Sequence, residues 1–212
     1  MKVACIDLDN TLANTSKMHL TSFKRAFAYY KLKPVPDKRI LHLFGLISED
    51  MIKKLYPGID EKLIPKIVNK HNEIATKSTY KFAKKIKGSN EALVYLKSKG
   101  FKVVILSNSS LREVRIVLRQ AGIRKDNYLR IITKDDLKKG KPSPEGINLA
   151  KKIFNASEAI IVGDTPYDIL AGRSAANTKT IGVLTGTHPR TELRKYKPDF
   201  IMNSIAEIKK VI

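Results

Sequence analysis

The feature that most constrains this chain is a recurring one: apolar runs that stop abruptly at polar residues, with segments of helical period between them. "KVACIDLD", "FKVVILSNSS", "LRIITKDD", "AIIVGDTPYD" and "TKTIGVLTG" each read as a short buried strand ending in turn chemistry. "NEALVYLKSKG", "LREVRIVLRQAGI", "SPEGINLAKKIF" and "DILAGRSAAN" carry apolar residues at helical spacing, and several close with Gly or Asn. Strands alternating with helices pair in parallel through right-handed crossovers, and the sheet is covered on both faces. The expected fold is therefore α/β, a doubly wound parallel-sheet, Rossmann-like core. Ligands of such sheets bind outside the carboxyl ends of the strands, so every polar strand end here is a candidate for one shared site.

One stretch breaks the alternation. From Asn14 to Lys87 the pattern is helical, as in "SKMHLTSFKRAFAYYKL", "PDKRILHLFGL", "SEDMIKKLYPG" and "DEKLIPKIVNKHNEIATKSTYKFAKKI", with no convincing strand. An insertion of about 70 residues at this point reads as a second, all-helical domain hinged over the end of the first strand. The expected division is residues 1–13 and 88–212 for the core and 14–87 for a cap, with hinges near Ala13–Ser16 and Tyr80–Lys87.

No apolar run approaches the roughly 18 residues of a membrane span, and carboxylates interrupt "MKVACIDLD" before a signal-peptide core is complete, so a cytoplasmic location is expected. Cys5 is the only cysteine, which rules out an intramolecular disulfide and a CxxC motif; within "VACI" it reads as a small core residue. The 41 Lys plus Arg exceed the 20 Asp plus Glu by 21, a field that attracts anions in general. The lysines are dispersed, without aromatic interleaving or zinc-finger spacing. A solvated basic surface with non-specific nucleic-acid binding at low salt is expected, not a specific nucleic-acid partner.

The first strand ends in "IDLDNT", where Asp7 and Asp9 return to the same face of a strand roughly 7 Å apart at Cα. Like charges so placed are costly unless a cation lies between them. The other strand ends add Ser107 and Asn108 from "LSNSS", Lys141 from "GKPSPE", and Gly163, Asp164 and Asp168 from "VGDTPYD". Carboxylates converging on one edge suit a hard cation such as Mg²⁺, leaving the Thr11 hydroxyl, backbone amides and a lysine to hold phosphate oxygens. Each residue also has a plainer role open to it. Ser107 and Asn108 can shape a turn, Lys141 is one of many lysines, and Asp164 can cap the helix that follows. His19, His42, His71 and His188 have no metal-ligand spacing and are expected on the surface or in the cap.

Taken in order, the DxDxT pattern, the strand ending in Ser, the Lys before Pro and the GDxxxD pattern resemble the haloacid dehalogenase superfamily of phosphohydrolases, in its phosphoglycolate-phosphatase-like branch with a helical cap. The resemblance implies that Asp7 is the nucleophile, passing through an aspartyl-phosphate, and that Asp9 is the general acid and base with a pKa raised by neighbouring charge. It implies Mg²⁺ held by Asp7, the Asp9 carbonyl and Asp164, with Asp168 in support. Ser107 and Lys141, beside Thr11 and Asn108, would bind the substrate phosphoryl, and Lys141 would keep Asp7 ionised. Two departures are conformational. Asn10 stands where the family often has Gly, and the helix after the fourth motif is expected to close at Ala176 and Asn177.

A dehalogenase needs neither the metal nor Asp9, and a non-enzymatic nucleic-acid binder needs none of the carboxylates. A sugar phosphomutase, or a phosphatase of nucleotides or nucleic-acid ends, is the alternative to hydrolysis of a small phosphorylated metabolite resembling phosphoglycolate. Specificity is expected to lie in the cap near "HLFGLISED", where Gly45 allows close approach or simply breaks a helix.

Overall fold

The computed structural model describes all 212 residues. In chain order the elements are β1 (Lys2–Ile6), β2 (Ala13–Asn14), α1 (Ser16–Tyr29), α2 (Asp37–His42), α3 (Ser48–Leu55), α4 (Ile64–Lys77), β3 (Lys84–Lys85), α5 (Ser89–Ser98) and β4 (Phe101–Leu106). There follow α6 (Leu111–Gln120), β5 (Arg130–Ile132), α7 (Glu145–Ile153), β6 (Glu158–Gly163), α8 (Pro166–Ser174), β7 (Thr178–Val183), α9 (Arg190–Leu193) and β8 (Phe200–Met202).

The main sheet has six strands in the order β5-β4-β1-β6-β7-β8, all paired in parallel. β1 is central, and strand order reverses beside it, so the carboxyl ends of β1, β4 and β6 adjoin at the switch point. The pleat sorts the side chains of β1 onto two cores. Ala4 and Ile6 join Val103, Ile105 and Val162 under α5 and α6, while Val3 and Cys5 join Val104, Leu106 and Ile161 under α7 and α8. Burial on both faces is why these strands are continuous apolar runs and why Cys5 is fully buried.

Helices α1 to α4 form a cap over the carboxyl edge with an apolar cluster of their own, which includes Phe23, Phe27, Ile40, Met51, Ile52, Ile64 and Ile67. The cap segment is not free of strand. β2 and β3 pair antiparallel, Ala13 with Lys85 and Asn14 with Lys84, in a ribbon at the two crossings. Two residues of strand are too few to leave a period in the sequence. The Ser89 hydroxyl, donating to Leu12 O at 2.9 Å, and the Ile86 amide, at 3.0 Å from the same oxygen, tie the crossings together.

Three further details differ from expectation. β8 is a three-residue edge strand whose apolar run, "FIM", is closed in at once by "KPD" and "NS", so it left no strand signal in the sequence. α8 stops at Ser174, not at Asn177, and Ala175 follows in extended backbone. Asn177 does take a left-handed φ of 49°, but at the entry to β7. No helix is long and apolar enough to cross a membrane.

Candidate active site

Beyond β1 the chain turns so tightly that Leu8 O accepts amides from Thr11, Leu12 and Ala13. The turn needs a left-handed residue, and Asn10 supplies it at φ 57°, as its tolerance for that region allows. The Asn10 side-chain oxygen then accepts from Thr15 N at 3.2 Å and Ser16 Oγ at 2.9 Å, which fixes the start of α1.

Asp7 is buried at the strand end, with its amide bonded to Val162 O on β6 at 2.9 Å. Lys141 reaches in from the segment after β5, and its Nζ lies 2.5 Å from Asp7 Oδ1, 2.6 Å from Asp168 Oδ1 and 3.3 Å from Leu106 O. These partners use all three hydrogens of the ammonium. Asp168 is held by its place in the first turn of α8: its Oδ2 accepts from Thr165 Oγ1 at 2.6 Å and Thr165 N at 3.1 Å, a capping box. Asp164, at the end of β6, receives the Thr11 hydroxyl on Oδ1 at 3.3 Å, while its Oδ2 is buried without a hydrogen-bond partner. Carboxylate oxygens of Asp7, Asp164 and Asp168 lie within 4.8 Å of one another. Gly186, to which the sequence drew no attention, is what admits Asp164, since a Cβ there would stand 1.8 Å from its Oδ2.

Asp9 faces a different set of groups. Its Oδ1 accepts from Thr15 Oγ1 at 2.8 Å and lies 3.0 Å from His19 Nε2, and its Oδ2 receives Ser109 Oγ at 3.2 Å and Ser107 Oγ at 3.4 Å. The electrostatics divide accordingly. Burial pushes Asp7 up to about 7 against the pull of Lys141, and it pushes Asp164 well above the ordinary carboxylate range. Burial also acts to raise Asp9, but the charge and hydrogen bond of His19, with the bond from Thr15, outweigh it and hold Asp9 at about 2. That is opposite to the raised value expected from neighbouring carboxylates, because the nearest charge is a cap histidine. His19 itself would be lowered by burial, yet Asp9 and then Glu113 raise it to about 9.

The structure also places the remaining candidate residues. The Thr11 hydroxyl donates to Asp164 Oδ1. The Asn108 amide is committed to backbone, donating to Gly45 O at 2.8 Å and Lys141 O at 2.9 Å and accepting from Lys141 N at 2.8 Å. It joins the cap loop to the lysine loop, with both side-chain hydrogens engaged. Gly45 sits at φ 98° against Thr165, where a Cβ would lie 2.7 Å from Thr165 Cγ2, so its close approach is to the core. Of the histidines, His19, His42 and His71 lie in the cap as expected, the first and last of them buried, and only His188 departs, being buried in the core. His188 lies in the core after β7, near His42 and Glu192. His19, His71 and Glu113 meet at the seam between cap and core. The available signal for His19 was its place four residues after Thr15, on the same face of the first cap turn.

A cavity of about 60 Å³, room for a few waters, joins both sets of groups. Its walls include Asp7, Asp9, Ser107, Lys141 and Asp164 from the core, and His19, Phe44, Leu46, Ser48, Met51 and His71 from the cap.

Comparison with known proteins places this geometry in a family. The pyrophosphatase PpaX of Bacillus pumilus (strain SAFR-032) is 28% identical over 208 residues, covering 97% of this chain and 94% of that protein. A hydrolase from Pseudomonas syringae superposes with a TM-score of 0.88 at 22% identity, covering 99% of this chain and 97% of that one. A predicted phosphoglycolate phosphatase from Haemophilus somnus 129pt superposes with a TM-score of 0.82 at 20% identity, covering 100% and 97%. The family model for haloacid dehalogenase-like hydrolases matches residues 5–183, from the strand that carries Asp7 to the end of β7, and the chain belongs to that family.

Proposed function

We propose that this chain is a Mg²⁺-dependent phosphatase that passes the phosphoryl group of a small phosphomonoester first to Asp7 and then to water. The observation that carries this reading is the convergence of Asp7, Asp164 and Asp168 at the switch point of the sheet, with Asp164 Oδ2 buried and unbonded. Such an all-oxygen set fits a hard cation. Asp7, Asp164 and the Asp9 carbonyl would hold the ion, with Asp168 in support. When bound, Mg²⁺ supplies positive charge that keeps the buried carboxylates ionised and offsets the charge of the substrate phosphate.

In the first step an Asp7 oxygen attacks phosphorus, and the bond to the leaving oxygen breaks as that oxygen takes a proton from Asp9. In this arrangement the proton rests on His19 Nε2, 3.0 Å from Asp9 Oδ1, and reaches the leaving oxygen through Asp9. Water then attacks the aspartyl-phosphate while Asp9 accepts a proton from it, and Asp7 is released. Ser107 and Lys141 border the position of the transferring phosphoryl, and Lys141, 2.5 Å from Asp7, meets the charge on its oxygens. The cap is taken as residues 14–87, hinged where Ala13–Asn14 and Lys84–Lys85 pair, and it would open to exchange ligands and close to exclude water.

The small cavity supports a compact substrate, with phosphoglycolate as the reference compound. The cap wall of Phe44, Leu46, Ser48 and Met51 carries no lysine or arginine, and His19 is its one cationic group, which suits a compact leaving group of at most a single negative charge. The second reading, pyrophosphate as substrate, is supported by the name of the Bacillus relatives. The test is kcat/KM across phosphoglycolate, pyrophosphate, neutral sugar phosphates and phosphorylated oligonucleotides, each with Mg²⁺ and with excess chelator. Compact esters are expected to lead and to depend on the metal. Undiminished turnover in chelator would refute the mechanism, and preference for oligonucleotides would refute the closed cap.

A further inference from the structure

The seam between cap and core holds a second set of metal-ligating atoms. His19 comes from α1, His71 from α4 and Glu113 from α6. The Nε2 of His19 faces a carboxylate oxygen of Asp9 at 3.0 Å, and the Nδ1 of His71 faces the Asn72 side-chain oxygen at 3.0 Å. The Asp9 carboxylate only accepts, so His19 Nε2 carries hydrogen, and with the oxygen of the Asn72 amide toward His71, His71 Nδ1 carries hydrogen as well. The inner atoms, His19 Nδ1 and His71 Nε2, then meet at 3.4 Å, and Glu113 Oε1 lies 3.6 Å from His19 Nδ1. Glu113 is 3% exposed, and its Oε1 has no hydrogen-bond partner. The three atoms lie within 4.8 Å of one another, and the only positive occupant the chain itself supplies among them is the proton on His19 Nδ1.

We propose that His19 Nδ1, His71 Nε2 and Glu113 Oε1 form a binding site for a divalent transition metal of the Zn²⁺ type, separate from the carboxylate cluster. A tetrahedral ion with bonds of about 2.0–2.1 Å sets its ligands about 3.3 Å apart, close to the 3.4 Å and 3.6 Å that separate His19 Nδ1 from His71 Nε2 and Glu113 Oε1. A proton on His19 Nδ1 is the competing occupant, and the metal displaces it. A hydrogen bond is best made near 2.9 Å, so one proton bridges these atoms poorly. Two imidazoles and one carboxylate suit Zn²⁺ better than Mg²⁺. The outer acceptors, Asp9 and Asn72, orient the rings as the outer partners of metal-bound histidines do. Phe23 stacks on His71 with centroids 3.8 Å apart and fixes that ring further. The cavity shared with the catalytic groups offers space for a water as fourth ligand. Because two ligands belong to cap helices and one to the core, the bound ion pins the cap shut, which slows turnover and raises the melting temperature.

The test uses the full chain, stripped of metal by chelator, dialysed, and supplied with excess Mg²⁺ to fill the carboxylate cluster. Zn²⁺ is titrated against a chromophoric chelator, and Co²⁺ is added separately as a visible probe. One Zn²⁺ per chain and the visible absorption bands of four-coordinate Co²⁺ are expected. Glu113→Gln, which keeps the shape of the side chain, should weaken Zn²⁺ binding by about 10-fold or more, and His71→Ala by about 100-fold. Asp164→Asn should leave it unchanged. Absence of stoichiometric Zn²⁺ and of the Co²⁺ bands in the unmodified protein would overturn the proposal. So would unaltered affinity in Glu113→Gln, a test that stands even if His71→Ala does not fold.

Discussion

Asp7 and Asp9 are the same residue type two positions apart, yet one is pushed up to about 7 and the other held at about 2. Asp7 shares its surroundings with Asp164, Asp168 and Lys141, all from the core, and burial dominates. Asp9 projects toward Thr15 and His19 at the start of the first cap helix, and a cationic partner dominates. Adjacent carboxylates acquire different chemistry from the segments that fold against them, not from their own sequence context.

The sharpest way to break this contrast is to remove each carboxylate in turn. Asp7→Asn should reduce turnover by at least about 10⁴-fold and abolish covalent phosphate on the protein, because the attacking oxygen is gone. Quench-flow labelling checks it, and a phosphorylated Asp7→Asn protein would reverse the assignment. Asp9→Asn keeps the backbone carbonyl but loses the acid and base, so turnover should fall by about 10²–10⁴-fold while Mg²⁺ affinity is retained. Calorimetric loss of Mg²⁺ binding as severe as in Asp164→Asn would show Asp9 acting on the metal through its side chain.

His19→Asn probes the cap side of the comparison. Removing one member of the His19–Asp9 pair should cost about 2 kcal/mol of stability, below the usual figure for a buried pair because Asp9 is partly exposed. The folded pKa of His19 is raised from 6.5 to about 9, so its contribution is full below about 6.5 and lost as pH rises through 9. The folded pKa of Asp9 is depressed from 3.8 to about 2, so its contribution is present above 3.8 and lost as pH falls through 2. The gap in melting temperature between the two proteins should therefore be widest between about pH 4 and 6.5 and narrow toward pH 9. A gap independent of pH would show that packing, not charge, joins His19 to Asp9. The smallest effect belongs to Thr11→Val, which removes one hydrogen bond to Asp164 and should cost about 1 kcal/mol. Turnover reduced much beyond tenfold would mean that Thr11 contacts the substrate after all.

The local period of the chain determined the parallel core. Ala4 and Ile6 alternate with Val3 and Cys5 because a strand buried on both faces must be apolar at every position, and that pattern is written in consecutive residues. It also determined that Asp7, Ser107 and Asp164 would meet, since each ends a strand next to the switch point. The meeting of His19, His71 and Glu113 was decided by tertiary structure alone. They come from three helices whose relative placement depends on how the cap's apolar cluster packs and where the two crossings pair, and neither leaves a period in the sequence. The commitment of Asn108 to backbone, the space Gly186 leaves for Asp164 and the low pKa of Asp9 have the same origin. Local sequence dictates which element a residue joins, whereas electrostatics and hydrogen bonding depend on atoms within a few ångströms, and in a folded chain those neighbours come from distant segments.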